Sequence, residues 1–314
     1  MRRSDSQRAS RFATQQGVTL IELMIAVAIG LVLVTLVLQS YGASSSTASV
    51  NVAVSEYQTN GRHALETLKR EIRHTALHPM VWDAAQLDAN ATATARNYGC
   101  GAGIATDLMR GITASNDSNP YANSCLAAGT DRQYARGDVL VLRRSALDAT
   151  TSYDANAPYV RVSYGAANLF LGGESPAELV APFFDYRLVA DTYFINEFTV
   201  SAAESPKVPA LYRLTLSSGA NPTLVPQLVA SNVEHLQFQF GQIMDATGGV
   251  RYFNANQVTD WSKVSSVRVW LLLRSSNAEP GLARSTYPMG DVTYAPTDSY
   301  RRSVLSSTIN LRNL

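Results

Sequence analysis

The sequence predicts an α+β fold: one long N-terminal helix, its first half membrane-spanning, packed on an antiparallel β-sheet domain. Three observations carry that expectation. Residues Val18–Leu38 form a 21-residue run that is apolar almost throughout. Apolar or small residues then recur at three- and four-residue spacing from Val54 to Ile72. From Asp138 onward the chain breaks into short β-type runs separated by Gly, Pro, Asn and Ser. With 314 residues, 46% hydrophobic and 16% charged, there is enough apolar side chain to bury a core of that size.

As a helix, the run Val18–Leu38 is about 31 Å long, the thickness of a bilayer core. One carboxylate, Glu22, lies inside it. An acid in a membrane span is costly, by about 2.5–3.5 kcal/mol near the centre, so it calls for a positive partner on another chain. The preceding residues hold Arg2, Arg3, Arg8 and Arg11 against a single Asp5, and no further Lys or Arg occurs before Arg62. By the positive-inside rule the N-terminus is cytoplasmic and everything after Leu38 lies across the membrane. An ordinary secretory signal has its small-residue cleavage site after the apolar stretch; here Gly17 stands before it. Cutting after Gly17 removes residues 1–17 as a basic leader, keeps the span and frees an α-amino group at Val18. It also takes Lys+Arg from 26 to 22 and Asp+Glu from 25 to 24, moving the net charge from +1 to −2.

The segment Gly17-Val18-Thr19-Leu20-Ile21-Glu22 resembles the prepilin-peptidase site of type IV pilins and type II secretion pseudopilins, with Val18 where the family most often has Phe. The resemblance implies a pilin-like fold, cleavage between Gly17 and Val18, and N-methylation of the Val18 amine. It also implies subunit-assembly roles for Glu22 and Thr19, with Glu22 answering the Val18 ammonium of a neighbouring subunit. In low dielectric such a pair is far stronger than in water.

The long helix is read as residues 18–78, ended by Pro79. Its second part is amphipathic: Val54, Tyr57, Gly61, Ala64, Leu65, Leu68 and Ile72 line one side, with Glu56, Arg62, Glu66, Lys69, Arg70, Glu71 and Arg73 on the others. Between the halves, Gly42–Ser49 is weak helix-forming sequence without a Pro, so a bend there would rest on Gly42 and the Ser run. Residues 79–137 are rich in Ala, Asn, Gly, Thr and Ser and read as an irregular loop region. Both cysteines, Cys100 and Cys125, fall in it. On the oxidising side of the membrane a disulfide is favoured over free thiols or a metal site. Its closure would stabilise by about 3 kcal/mol in the chain-entropy model.

Residues 138–314 read as the antiparallel β-rich domain, with runs at Val139–Arg143, Val160–Tyr164, Phe183–Val189, Leu211–Leu216, His235–Phe240, Val250–Phe253, Val267–Leu273 and Ser307–Leu311. Leu236, Phe238 and Phe240 alternate on one side of their run, as do Val267, Val269, Leu271 and Leu273, the mark of a sheet with one face on a core. Several stretches are similar to PilW-type minor pilins: Gln58–Arg62, Ala64-Leu65, Arg70–Arg73, Gly137–Leu140, Val233–Phe238, Val258–Trp261, Val267-Arg268, Leu271–Arg274, Tyr300–Arg302 and Asn310–Asn313.

That resemblance implies a minor pilin of a type IV pilus, stored in the bacterial inner membrane with its C-terminal domain in the periplasm. The chain would take part in initiating assembly and enter the extracellular filament, in it or at its tip. Its implied partners are the prepilin peptidase, other minor pilins, the major pilin and the inner-membrane assembly platform. Two rivals stand beside it: a tip adhesin or ligand-binding module using the Cys100–Cys125 loop, and a J-type pseudopilin of a type II secretion system.

Enzymatic constellations are not found. His74 and His78, with Glu71, have metal-compatible helical spacing but no third ligand fixed by the pattern. Asn116–Asn119 and Asp245–Gly249 lack the ligand alternation of a calcium loop and read as turns. There is no Gly-x-Ser-x-Gly elbow and no phosphate loop, so neither catalysis nor a cofactor or metal is expected. A near-neutral chain without a basic stripe gives no footing for nucleic acid as the main ligand, DNA capture by an assembled pilus aside.

Overall fold

The computed structural model describes residues 17–81, 87–89, 91–101, 103–108, 110–127, 132–244 and 248–312. The leader up to residue 16 and the start of the Asp245–Gly249 turn lie outside the described residues. The chain divides into two compact units, Met1–Val52 and Ala53–Leu314.

Helix α1 runs from Leu20 to Arg73. In the first unit its apolar side chains stand exposed, and helical backbone persists through Gly42–Ser49. In the second unit Tyr57, Ala64, Leu65, Leu68 and Ile72 are buried, as their spacing predicts. They share one core with Leu140, Leu142, Tyr193, Phe238, Phe240, Val269, Leu271 and Leu273. At Gly61 helix and sheet approach closely: a Cβ there would sit 2.2 Å from Cδ1 of Leu273. α1 stops at Arg73, five residues short of the expected limit at 78, because tertiary contacts take over. The Thr75 hydroxyl donates to Gly111 O at 2.9 Å. Ala76 turns to φ 54° and gives its N–H to Arg143 O.

The region read as irregular holds short regular pieces: β1 (Leu87–Ala89), α2 (Ala91–Ala95) and β2 (Ile112–Ser115). Then come β3 (Val139–Ala149), β4 (Pro158–Ser163), β5 (Ala166–Leu171), β6 (Phe184–Asn196), β7 (Ala210–Leu216), β8 (Leu224–Ser231), β9 (Val233–Ile243), β10 (Val250–Phe253), β11 (Val264–Ala278), β12 (Tyr287–Met289), β13 (Val292–Tyr294) and β14 (Tyr300–Asn310). Eight strands form one sheet in the order β1-β5-β4-β6-β3-β2, with β7 and β8 added beside β6. The long β6 takes β3 along one edge and β4 then β7 along the other. Its pairings are antiparallel except β1 with β5. A second sheet, β10-β9-β11-β14, is antiparallel throughout, and β12 and β13 form a separate hairpin.

The two large sheets are latched at the start of β3. Asp138 donates its N–H to Leu236 O, while its carboxylate accepts the N–H groups of Phe238 at 2.7 Å and Asp117 at 3.0 Å. Gly137 makes this possible at φ 80°, since a Cβ would lie 2.5 Å from Leu236 O.

Candidate assembly segment

Gly17, Val18 and Thr19 precede the helix, and a Cβ on Gly17 would meet nothing within 4 Å. Val18 is 73% exposed. The Gly17–Val18 bond therefore lies outside the helix in an exposed stretch.

Thr19 and Glu22 form a reciprocal N-terminal cap. The Glu22 N–H donates to Thr19 Oγ1 at 3.3 Å, and the Thr19 N–H and hydroxyl donate to Glu22 Oε2 at 2.9 and 3.0 Å. This is the capping box of a Thr-x-x-Glu sequence. It gives Glu22 a local role in starting the helix. It engages Oε2 alone and leaves Oε1 without a hydrogen bond among the described residues. Beyond the cap, α1 contains an 18-residue stretch of mean hydropathy 2.8, none of it buried within the chain. Such a helix is long and apolar enough to cross a membrane.

Cys100 and Cys125 are joined in a disulfide with Cα atoms 4.6 Å apart. Both are buried with Tyr98, Ile104, Ala105 and Leu126 against Val139, Val141 and Phe194 of the eight-stranded sheet. Arg143, itself buried, holds the same segment by donating to Ile104 O and Arg110 O. His74 and His78 do not share a helical face, because α1 ends before them. His78 is buried with Nδ1 2.9 Å from Ser145 Oγ, and burial lowers its imidazole to about 4. Among the described residues no three His, Cys, Asp or Glu side chains group to hold a metal.

One cluster was not anticipated. Glu234 of β9, 2% exposed, receives Arg302 of β14 in a bidentate pair, Nε to Oε2 at 2.5 Å and Nη2 to Oε1 at 2.9 Å. Arg302 also reaches both carboxylate oxygens of Asp298, and Arg136 and Arg274 stand 3.8 and 3.9 Å from Glu234 Oε1. Burial alone would lower the Arg302 guanidinium, but hydrogen bonds to Glu234 and Asp298 hold it above its ordinary range. The clamp ties β9, β11 and β14 together, using Glu234, Arg274 and Arg302 from three stretches that looked PilW-like in the sequence. Arg274 and Arg302 lie 40 and 68 residues from Glu234, so only an inward charge among alternating apolar residues hinted at it.

Residues 13–38 match the family model of the prokaryotic N-terminal methylation motif, spanning Gly17, Val18, Thr19 and Glu22. Residues 192–313, which include Glu234, Arg274, Asp298 and Arg302, match the model of type IV pilus-assembly protein W. The chain is a type IV pilin-like protein. Within that class, its C-terminal part, about two fifths of the chain, is similar to type IV pilus-assembly protein W. A solved type IV-like pilin from Thermus thermophilus is similar at 16% identity and a TM-score of 0.28, over 56% of this chain and 79% of that one. At that score the likeness carries no weight, and the α+β description stands on the elements themselves. A curated ribonuclease P protein component 3 from Natronomonas pharaonis is 28% identical over 139 residues, 43% of this chain. The chain spans 58% of that relative's length.

Proposed function

We propose that this chain is a membrane-stored minor pilin that helps initiate a type IV pilus and is incorporated in or at the tip of the filament. The observation that carries the reading is the capped start of the apolar helix directly after an open Gly17–Val18 bond. Prepilin peptidase cuts that bond on the cytoplasmic side and the new Val18 amine is methylated. The span then leaves lipid for a bundle of like helices, with the globular domain on the periplasmic side until extraction. In the bundle the Glu22 Oε1 left over by the cap takes the ammonium of a neighbour, which offsets the cost of a carboxylate in low dielectric. Other minor pilins, the major pilin and the inner-membrane platform are the partners of these steps.

Packing of the Cys100–Cys125 segment into the core supports a structural part for it rather than a free adhesive loop. The similarity to a ribonuclease P component does not favour RNA binding in a chain of net charge +1 without a basic stripe. The test is Glu22→Leu alongside Gly17→Asp. Glu22→Leu should be cut normally yet fail to enter filaments, and Gly17→Asp should accumulate as a heavier, uncut protein with piliation lost. Normal piliation and twitching by both variants would refute the reading; normal twitching with lost exoprotein release in a deletion strain would instead assign a secretion pseudopilus.

A further inference from the structure

The long outer edge of β14 is unpaired among the described residues, and it differs from the other outermost strands of the two large sheets. β1 has three residues, β2 and β10 have four, and β8 is interrupted by Pro226. Short strands and prolines are the usual guards against edge-to-edge pairing. β14 has eleven residues and is the outermost strand of its sheet beyond β11. Its only charges, Arg301 and Arg302, are engaged by Glu279 and by Glu234 with Asp298. What remains, Ser303–Asn310, has no charge, Pro or Gly.

The register shows which main-chain groups face outward. Leu311 N–H donates to Ser265 O of the neighbouring chain segment, and the pairing runs unshifted from Ser266↔Asn310 to Arg274↔Arg302. Odd-numbered residues of β14 therefore turn their N–H and C=O toward β11, and Val304, Ser306, Thr308 and Asn310 turn theirs away. Leu305 and Ile309 pack on the core side, whereas Ser306, Thr308 and Asn310 are exposed on the other face. A row of alternating donors and acceptors on an uncharged strand is the template that strand addition uses.

We propose that the outer edge of β14 is a docking site for an extended, uncharged strand of a different pilin-type subunit, which adds to the four-stranded sheet. The identity of that occupant rests on the function proposed above; the strand chemistry does not. A second copy is a poorer occupant, because β14 pairing with β14 is isologous and closes on itself. A subunit whose span must lie beside those of other subunits needs a heterologous contact.

The experiment is made on the full chain in the cell that produces it, with a photoreactive phenylalanine analogue replacing Thr308 and the adduct sequenced by peptide mass spectrometry. The expected adduct joins position 308 to a strand of another chain that carries its own N-terminal prepilin motif. Ser306→Pro removes one outward N–H without touching the β11 ladder and should cut the adduct about tenfold, a loss equivalent to about 1.4 kcal/mol. Ser306→Lys, which keeps the backbone intact, should do the same. The proposal is overturned if abundant protein gives no adduct, if the adduct is to a second copy, or if both variants leave its yield unchanged. The mass of the N-terminus in the same sample reads the other proposal separately: a chain retaining residues 1–17 refutes the pilin reading and leaves the adduct result standing.

Discussion

Replacing Glu234 by Ala should unfold the β domain more readily than any surface change. The carboxylate is buried at 2% exposure, and its partner Arg302 has a side chain 1% exposed. Removing the acid leaves Arg302, Arg274 and Arg136 facing Asp298 alone, one guanidinium bidentately paired and two without their nearby anion. Breaking a buried pair from one side costs about 3–5 kcal/mol. Total stability is about 5–15 kcal/mol for a typical protein, so this is a large share. Urea unfolding of the detergent-solubilised full chain, followed by tryptophan fluorescence, would read it as a midpoint about 1–1.7 M lower at a slope near 3 kcal/mol/M. Glu234→Gln keeps an acceptor oxygen but no charge and should lose about 1.5–3 kcal/mol. A midpoint for Glu234→Ala equivalent to a loss of under about 0.5 kcal/mol would refute the clamp as a source of stability.

Gly61→Ala improves helix propensity by about 1 kcal/mol but drives a methyl to 2.2 Å from Leu273. The overlap should win, with a net loss of about 1–2 kcal/mol in the same urea assay; a more stable variant would contradict the close approach. Two of the groups that set the pH dependence oppose each other. Burial lowers His78 to about 4, so the unfolded chain binds its proton first and stability is lost as pH falls from 6.5 toward 4. Burial raises Asp138 to about 7, partly offset by the N–H groups of Asp117 and Phe238. The folded chain therefore binds the Asp138 proton first, and that contribution falls as pH rises from 3.8 to about 7. Asp138→Asn removes the opposing group and should lose stability more steeply than wild type between pH 7 and 4.5; an equal or shallower slope would show that the two do not oppose.

The legible features were local. The apolar run lies within residues 18–38, where composition and length alone predict the helix, while the Thr-x-x-Glu cap at its start went unpredicted. Leu236, Phe238 and Phe240 with Val267, Val269, Leu271 and Leu273 betrayed the four-stranded sheet because one face is uniformly apolar. What the chain concealed was set by distant contacts. α1 ends at Arg73 because Gly111 and Arg143 capture Thr75 and Ala76, residues no helical period could nominate. β8 was hidden by Pro226, tolerated on an edge and a breaker elsewhere. β5, reading AANLFL, is apolar on both sides of the strand and lacks the period of two that flags a half-exposed strand. The clamp needed three strands in register before Glu234 could meet Arg302.

The most direct test is the intact mass of the chain recovered from membranes and from sheared filaments. A species beginning at Val18 with one added methyl group, present in both fractions, is the predicted result. A polypeptide that begins at Met1 in the filament fraction, or that never reaches filaments at all, would contradict the account.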